Sequence, residues 1–149
     1  ANVIQGGAGN DTLIGSGGPD TLFGQLGNDV FKFLGLKDGT DTIGDFTAAE
    51  DTIGIVKSGF KINAAVAPGT ADAFDFALHY FVSGPGNAPV TAQNPAGVSA
   101  TEAGHGQFLF NQATDKLYWD PDGLGKKGAI LIAQFSTDVD LHATDFILS

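Results

Sequence analysis

The chain has 149 residues, seventeen acidic side chains against seven lysines and no arginine, and a formal charge of −10. That sign repels phosphate backbones and excludes a nucleic-acid partner, while the lack of cysteine excludes disulfides and thiolate metal sites. No apolar run reaches the roughly 18 residues of a membrane span, no basic-then-apolar leader opens the sequence, and 42% hydrophobic content with twelve Phe suffices for one core.

The chain opens on a nine-residue repeat. Its three full copies run from Gly6 to Ile14, Gly15 to Phe23 and Gly24 to Lys32. Position one is Gly6, Gly15, Gly24; position four is Gly9, Gly18, Gly27; position six is Asp11, Asp20, Asp29; position eight is Leu13, Leu22, Phe31. Asn2-Val3-Ile4-Gln5 fits positions six to nine of a preceding copy, which predicts that the sequence is a C-terminal piece of a longer protein. Glycines at positions one and four are expected to supply the positive φ angles of tight turns. The apolar residues after each Asp read as a short strand with position eight inward. Two copies then make one coil, so turns two copies apart stack on one edge. Asp11 faces Asp29, and Asp20 lies on the opposite edge. Carboxylates and backbone carbonyls are the hard oxygens that Ca²⁺ prefers.

This stretch resembles the repeats-in-toxin (RTX) family, also called hemolysin-type calcium-binding repeats, whose G-G-x-G-x-D-x-U-x unit binds Ca²⁺ in a parallel β-roll. The resemblance implies as ligands the carbonyls of Gly6, Gly7, Ala8 and Gly9 with Asp11, those of Gly15, Ser16, Gly17 and Gly18 with Asp20, and those of Gly24, Gln25, Leu26 and Gly27 with Asp29. It also implies that the D-x-I-x-D-F pattern at Asp41-Thr42-Ile43-Gly44-Asp45-Phe46 follows the last repeat. There Asp38 or Asp41 supplies a further ligand, the alternative being an Asp that only caps a turn.

Further along, strands are expected at residues 41–46, 51–55 and 71–82, then an irregular stretch from 83 to 106. The last strands are placed at 106–110, 116–120, 129–135 and 145–148. No helical period of useful length appears. The expected fold is all-β: a parallel roll in residues 1–45, continued into an antiparallel, sandwich-like cap in residues 46–149. Asp120-Pro121-Asp122-Gly123 begins like an EF-hand loop but lacks its later ligands, so a hairpin turn is the reading. Gly123-Leu124-Gly125-Lys126-Lys127-Gly128 matches G-x-G-x-x-G, yet a strand pattern follows where a dinucleotide site needs a helix. His79, His105 and His142 are scattered, and Trp119 and the Phe set read as core. No nucleophile, base or metalloprotease constellation occurs, so an enzyme is not expected.

What the resemblance implies is a secreted bacterial module, bound to calcium, that drives folding and type I export of a larger extracellular protein. The ending Asp145-Phe146-Ile147-Leu148-Ser149, acid then apolar, would serve as the signal read by the secretion machinery. The alternative is an adhesin-type module whose cap loops hold a glycan or cell-surface ligand.

Overall fold

Short apolar runs between glycine turns cannot make long strands, and the strands are correspondingly brief. The computed structural model describes residues 1–62, 69–70, 80–86, 96–98, 100–101 and 105–149. Six strands open the fold: β1 (Val3–Ala8), β2 (Thr12–Leu13), β3 (Thr21–Leu26), β4 (Val30–Phe33), β5 (Asp41–Ile43) and β6 (Thr52–Ile55). They alternate between two sheets, and every neighbouring pair among them is parallel. Each turn passes the chain to the opposite sheet, which is the coil that a nine-residue unit predicts.

Register follows from the inward side chains. Ile4, Leu22 and Ile43 are partners in one sheet, and Leu13, Phe31 and Ile53 in the other. All but Ile4 are buried. Full burial of a side chain of this size contributes about 1.5–3 kcal/mol, so a few residues per coil supply most of its apolar stabilisation.

After β6 the chain leaves the coil. It forms a one-turn helix α1 (Lys57–Phe60), then β7 (Gly69–Thr70), β8 (Phe81–Gly84), β9 (Gln107–Asn111) and β10 (Lys116–Asp120). It returns as β11 (Ile130–Phe135) and β12 (Phe146–Leu148). β11 docks parallel on β5 and β12 parallel on β6, placing Phe135 beside Ile43 and Phe146 beside Ile53. The final coil therefore comes from the last residues of the chain. Both sheets run without a break from roll to cap, in the orders β1-β3-β5-β11-β10-β9-β8 and β2-β4-β6-β12-β7.

The cap is bound by aromatic packing. Phe108 lies against Trp119 at 4.7 Å between ring centres, Phe60 against both, and Phe46 against Phe135 at 5.3 Å. Such pairs add about 0.5–1.5 kcal/mol each beyond burial. Leu109 and Tyr118 point from the opposite face of the same sheet into a second small cluster with Ala96, Val98, Ala100 and Ala129.

The all-β expectation holds, and the expected strands at 41–46, 51–55, 106–110, 116–120, 129–135 and 145–148 correspond to β5, β6 and β9 to β12 within a few residues. The helix α1 and a 3₁₀ turn at Ala143–Asp145 are too short for a periodic pattern to show. Most of the strand expected at 71–82 and much of the irregular stretch after it lie outside the described residues, as does His79. Among the described residues no helix is long and apolar enough to cross a membrane.

Candidate metal centre

In a parallel coil the same repeat position recurs one coil above the next, so position six builds columns of carboxylates. One column is Asn2, Asp20, Asp41; the other is Asp11, Asp29, Asp51. The amide N–H of Asp11 donates to Asp29 Oδ1 at 2.8 Å, and that of Asp29 to Asp51 Oδ1 at 3.0 Å. On the other edge the N–H of Asp20 donates to Asp41 Oδ1 at 3.0 Å, and that of Asn2 to Asp20 Oδ1. The steps are 18 residues within the repeats and 21 or 22 beyond them. Asp11 and Asp29 thus share one edge and Asp20 the opposite one.

The acceptor in each of these bonds is Oδ1, of Asp20, Asp29, Asp41 or Asp51. The second, Oδ2, is buried without a hydrogen-bond partner at Asp11, Asp20 and Asp29. A buried, unpartnered carboxylate oxygen is costly unless a cation or proton meets it. At Asp20 and Asp29, which are 2% and 1% exposed, bulk solvent does not reach it.

The turns around these oxygens are built from glycine for two different reasons. Positions two and four are left-handed: φ is 106° at Gly7, 63° at Ser16 and 73° at Gln25, then 118°, 105° and 133° at Gly9, Gly18 and Gly27. Position one is not, which corrects the expectation that its glycines supply positive φ. Gly6, Gly15 and Gly24 are small because carboxylates occupy the space where a Cβ would sit. A Cβ on Gly6 would lie 2.8 Å from Asp11 Oδ2 and 2.9 Å from the Gly24 carbonyl, and one on Gly15 would lie 2.5 Å from Asp41 Oδ2. One on Gly24 would collide with Asp29 Oδ2. Carboxylate and carbonyl oxygens of stacked turns therefore converge beside position one, the donor set a calcium ion takes. Among the described residues no three acidic or imidazole side chains converge, so any ion here is held by paired carboxylates together with main-chain oxygens.

Beyond the repeats the two candidates separate. Asp38 turns inward on its own loop, accepting the N–H groups of Leu34 and Gly35; it caps the turn. Asp41 takes the place of a position-six Asp, and its Oδ2 points at Gly15 in the turn below. Burial raises its pKa from 3.8 to about 6, with Asp20 and Asp38 pushing the same way and the Asp20 amide opposing. Two acids that sequence reading missed complete the picture. Asp51 continues the Asp11–Asp29 column, and Asp45 accepts N–H groups from Gly24 and Gln25. Their signal was the second Asp of the Asp41–Phe46 motif and the Asp that begins the following strand.

The remaining motifs resolve as structure. Asp122 organises the loop after β10, its Oδ2 accepting the amides of Lys126 and Lys127 at 3.0 and 3.2 Å. The G-x-G-x-x-G segment runs into β11. Trp119 is core at 3% exposure. His142 sits at the surface 3.8 Å from Asp140, and the His105 ring packs against Tyr80.

Residues 1–31 match the RTX calcium-binding nonapeptide repeat, in four copies. That repeat family binds Ca²⁺, and the incomplete copy at Asn2–Gln5 together with the three full ones accounts for the span. Comparison with curated proteins gives no match.

Proposed function

We propose that this calcium-binding RTX-type module holds one ion on each edge of its roll and thereby drives folding of a larger exported protein. On one edge Asp11 and Asp29 supply carboxylates, with carbonyls drawn from Gly6, Gly7, Ala8, Gly9, Gly24, Gln25, Leu26 and Gly27. On the other, Asp20 and Asp41 act with carbonyls of Gly15, Ser16, Gly17 and Gly18. The observation that carries this reading is the set of buried Oδ2 atoms without partners on Asp11, Asp20 and Asp29. Asp38 is left out, since its Oδ2 is engaged by two amides.

The physics gives the module a direction. A site absent from the unfolded chain adds its binding free energy to folding. Extracellular calcium modules bind at about 10⁻⁴ to 10⁻³ M, far above cytosolic Ca²⁺. A chain with this site stays loose inside a cell and orders outside, which suits a secreted bacterial protein. Residues 1–45 form the responsive roll and residues 46–149 the cap, with no catalytic role assigned to either. The tail supports a type I signal read before folding. Once folded, β12 is paired on both edges, by β6 and β7, and Phe146 and Leu148 are buried. The adhesin reading has less behind it, because the aromatic rings Phe60, Phe108, Phe110 and Trp119 are core.

Calcium titration of metal-stripped protein tests the proposal. Heat of binding should accompany a gain of β signal in circular dichroism, and Asp29→Asn should bind one ion fewer. Spectra that stay the same with and without calcium would defeat it.

A further inference from the structure

The repeat pattern ends at Lys32, but the carboxylate columns continue, and the third turn meets two acids from a turn without repeat character. Asp45 spans that turn, its Oδ1 accepting the Gly24 amide at 2.9 Å and its Oδ2 the Gln25 amide at 3.0 Å. Asp51 is used as fully, Oδ1 by the Asp29 amide at 3.0 Å and Oδ2 by the Thr47 amide at 2.8 Å. Every oxygen of these two side chains therefore has an amide partner, whereas Asp11, Asp20 and Asp29 each keep one buried oxygen with none. A carboxylate bound by two backbone N–H groups has both of its oxygens satisfied without a metal.

We infer that the ion column on the Asp11–Asp29 edge stops at the third turn, whose far face is closed by carboxylate–amide bonds from Asp45 and Asp51. On this edge the segment from Asp45 to Ile55 is then a metal-independent footing on which the calcium-dependent turns stack, while Asp41, earlier in the same coil, serves the ion of the other edge. Packing agrees with this division. Ile43 and Ile53 in that coil lie beside Phe135 and Phe146 of the last coil, and Phe46 closes over Phe31 and Phe135. The footing draws its stability from aromatic burial and amide bonds, and the outer turns draw theirs from ions.

The inference rests on the calcium reading above, and the test keeps the two apart. Amide hydrogen exchange is measured by mass spectrometry on the whole chain, with calcium and after metal stripping. Stripping should speed exchange in residues 1–31 by at least about tenfold and change residues 46–55 by less than about twofold. Calorimetry on Asp45→Asn and Asp51→Asn should return the wild-type number of ions, with a thermal midpoint lowered equally with and without calcium; Asp29→Asn should lose an ion. Loss of an ion in either footing variant, or exchange of residues 46–55 in step with residues 1–31, would overturn the inference. If a variant fails to fold, exchange in the wild type decides alone. Calcium without effect on either exchange or heat would sink the calcium reading itself, and this inference with it.

Discussion

The roll and the cap solve the same problem, holding short strands together, with different physics. In the first three turns glycine fills the space, each strand buries few side chains, and carboxylate oxygens are enclosed without partners. In the cap Phe108 packs on Trp119 and Phe146, and Phe110 on Phe135, at ring distances of 4.7 to 5.8 Å, and among the described residues one buried carboxylate oxygen there, Asp122 Oδ1, is without a partner. The first arrangement is incomplete without a cation. The second is held by its apolar packing. The lesson is that one continuous pair of sheets can carry a switchable end and a permanent end, with the division set by which carboxylates have amides to bind.

Removing calcium is the largest way to break this comparison. Order in the first three turns should vanish while the cap survives, and the single tryptophan makes the split visible. Far-ultraviolet dichroism should lose β signal, yet emission from Trp119, buried at 3% exposure, should stay blue-shifted. A red shift in parallel with the dichroism would mean that cap and roll melt as one unit.

Next in size is a cut into the cap. Phe146 is 1% exposed and links the last coil to Phe81 and Phe108. Phe146→Ala should cost about 3–5 kcal/mol, whether calcium is present or absent. Chemical denaturation in both conditions checks this; a cost seen only with calcium would assign Phe146 to the switchable end.

Acid sharpens the contrast at Asp41. Its folded pKa of about 6 lies above the ordinary 3.8 because of burial, so the folded, metal-free state holds this proton more tightly than the unfolded chain does. The stabilisation it gives is fully present below about 3.8 and is lost as pH rises through about 6. With calcium the dependence at this site reverses, since the ion needs the carboxylate and a proton competes with it. Melting temperatures followed from pH 4 to 7 should fall with rising pH in stripped protein and rise in calcium. The same slope in both would remove Asp41 from the site.

The smallest effect concerns backbone strain. Ser16 and Gln25 hold left-handed φ angles of 63° and 73° at a position where Gly7 stands in the first turn. A side chain there costs about 1–2 kcal/mol, so Gln25→Gly should stabilise the calcium-bound form by about 1 kcal/mol or less once the freedom of the unfolded chain is counted. A lowered melting temperature would show that the Gln25 side chain does more than tolerate the turn.

Much of this was legible in the residues because the repeat is short and its positions are chemically distinct. Asp11 and Asp29 could be assigned to one edge, and Leu13, Leu22 and Phe31 to the interior, by counting nines. The count failed at Asp38, nine residues after Asp29, because the loop from Leu34 to Thr40 carries extra residues, and the column passes to Asp41 in a step of 21. Glycine at position one was misread, since a need for space and a need for positive φ look the same in sequence. The return of β11 and β12 to complete the coil was invisible, because parallel pairing across the whole cap excursion leaves no local signature. The tail's apolar residues showed only that it was a strand. Phe146 and Leu148 facing inward fit that reading, but their partners Ile53 and Ile55 lie far away in the chain.

The central claim is that the buried, unpartnered oxygens of Asp11, Asp20 and Asp29 are calcium ligands. Crystals grown in calcium, with an anomalous difference map, test it most directly. The account predicts one peak within coordination distance of Asp11 and Asp29 Oδ2 beside Gly6 and Gly24, and one between Asp20 and Asp41 beside Gly15, with none between Asp29 and Asp51. A map with no peak at either pair, or with the ion seated against Asp45 and Asp51 instead, would contradict it.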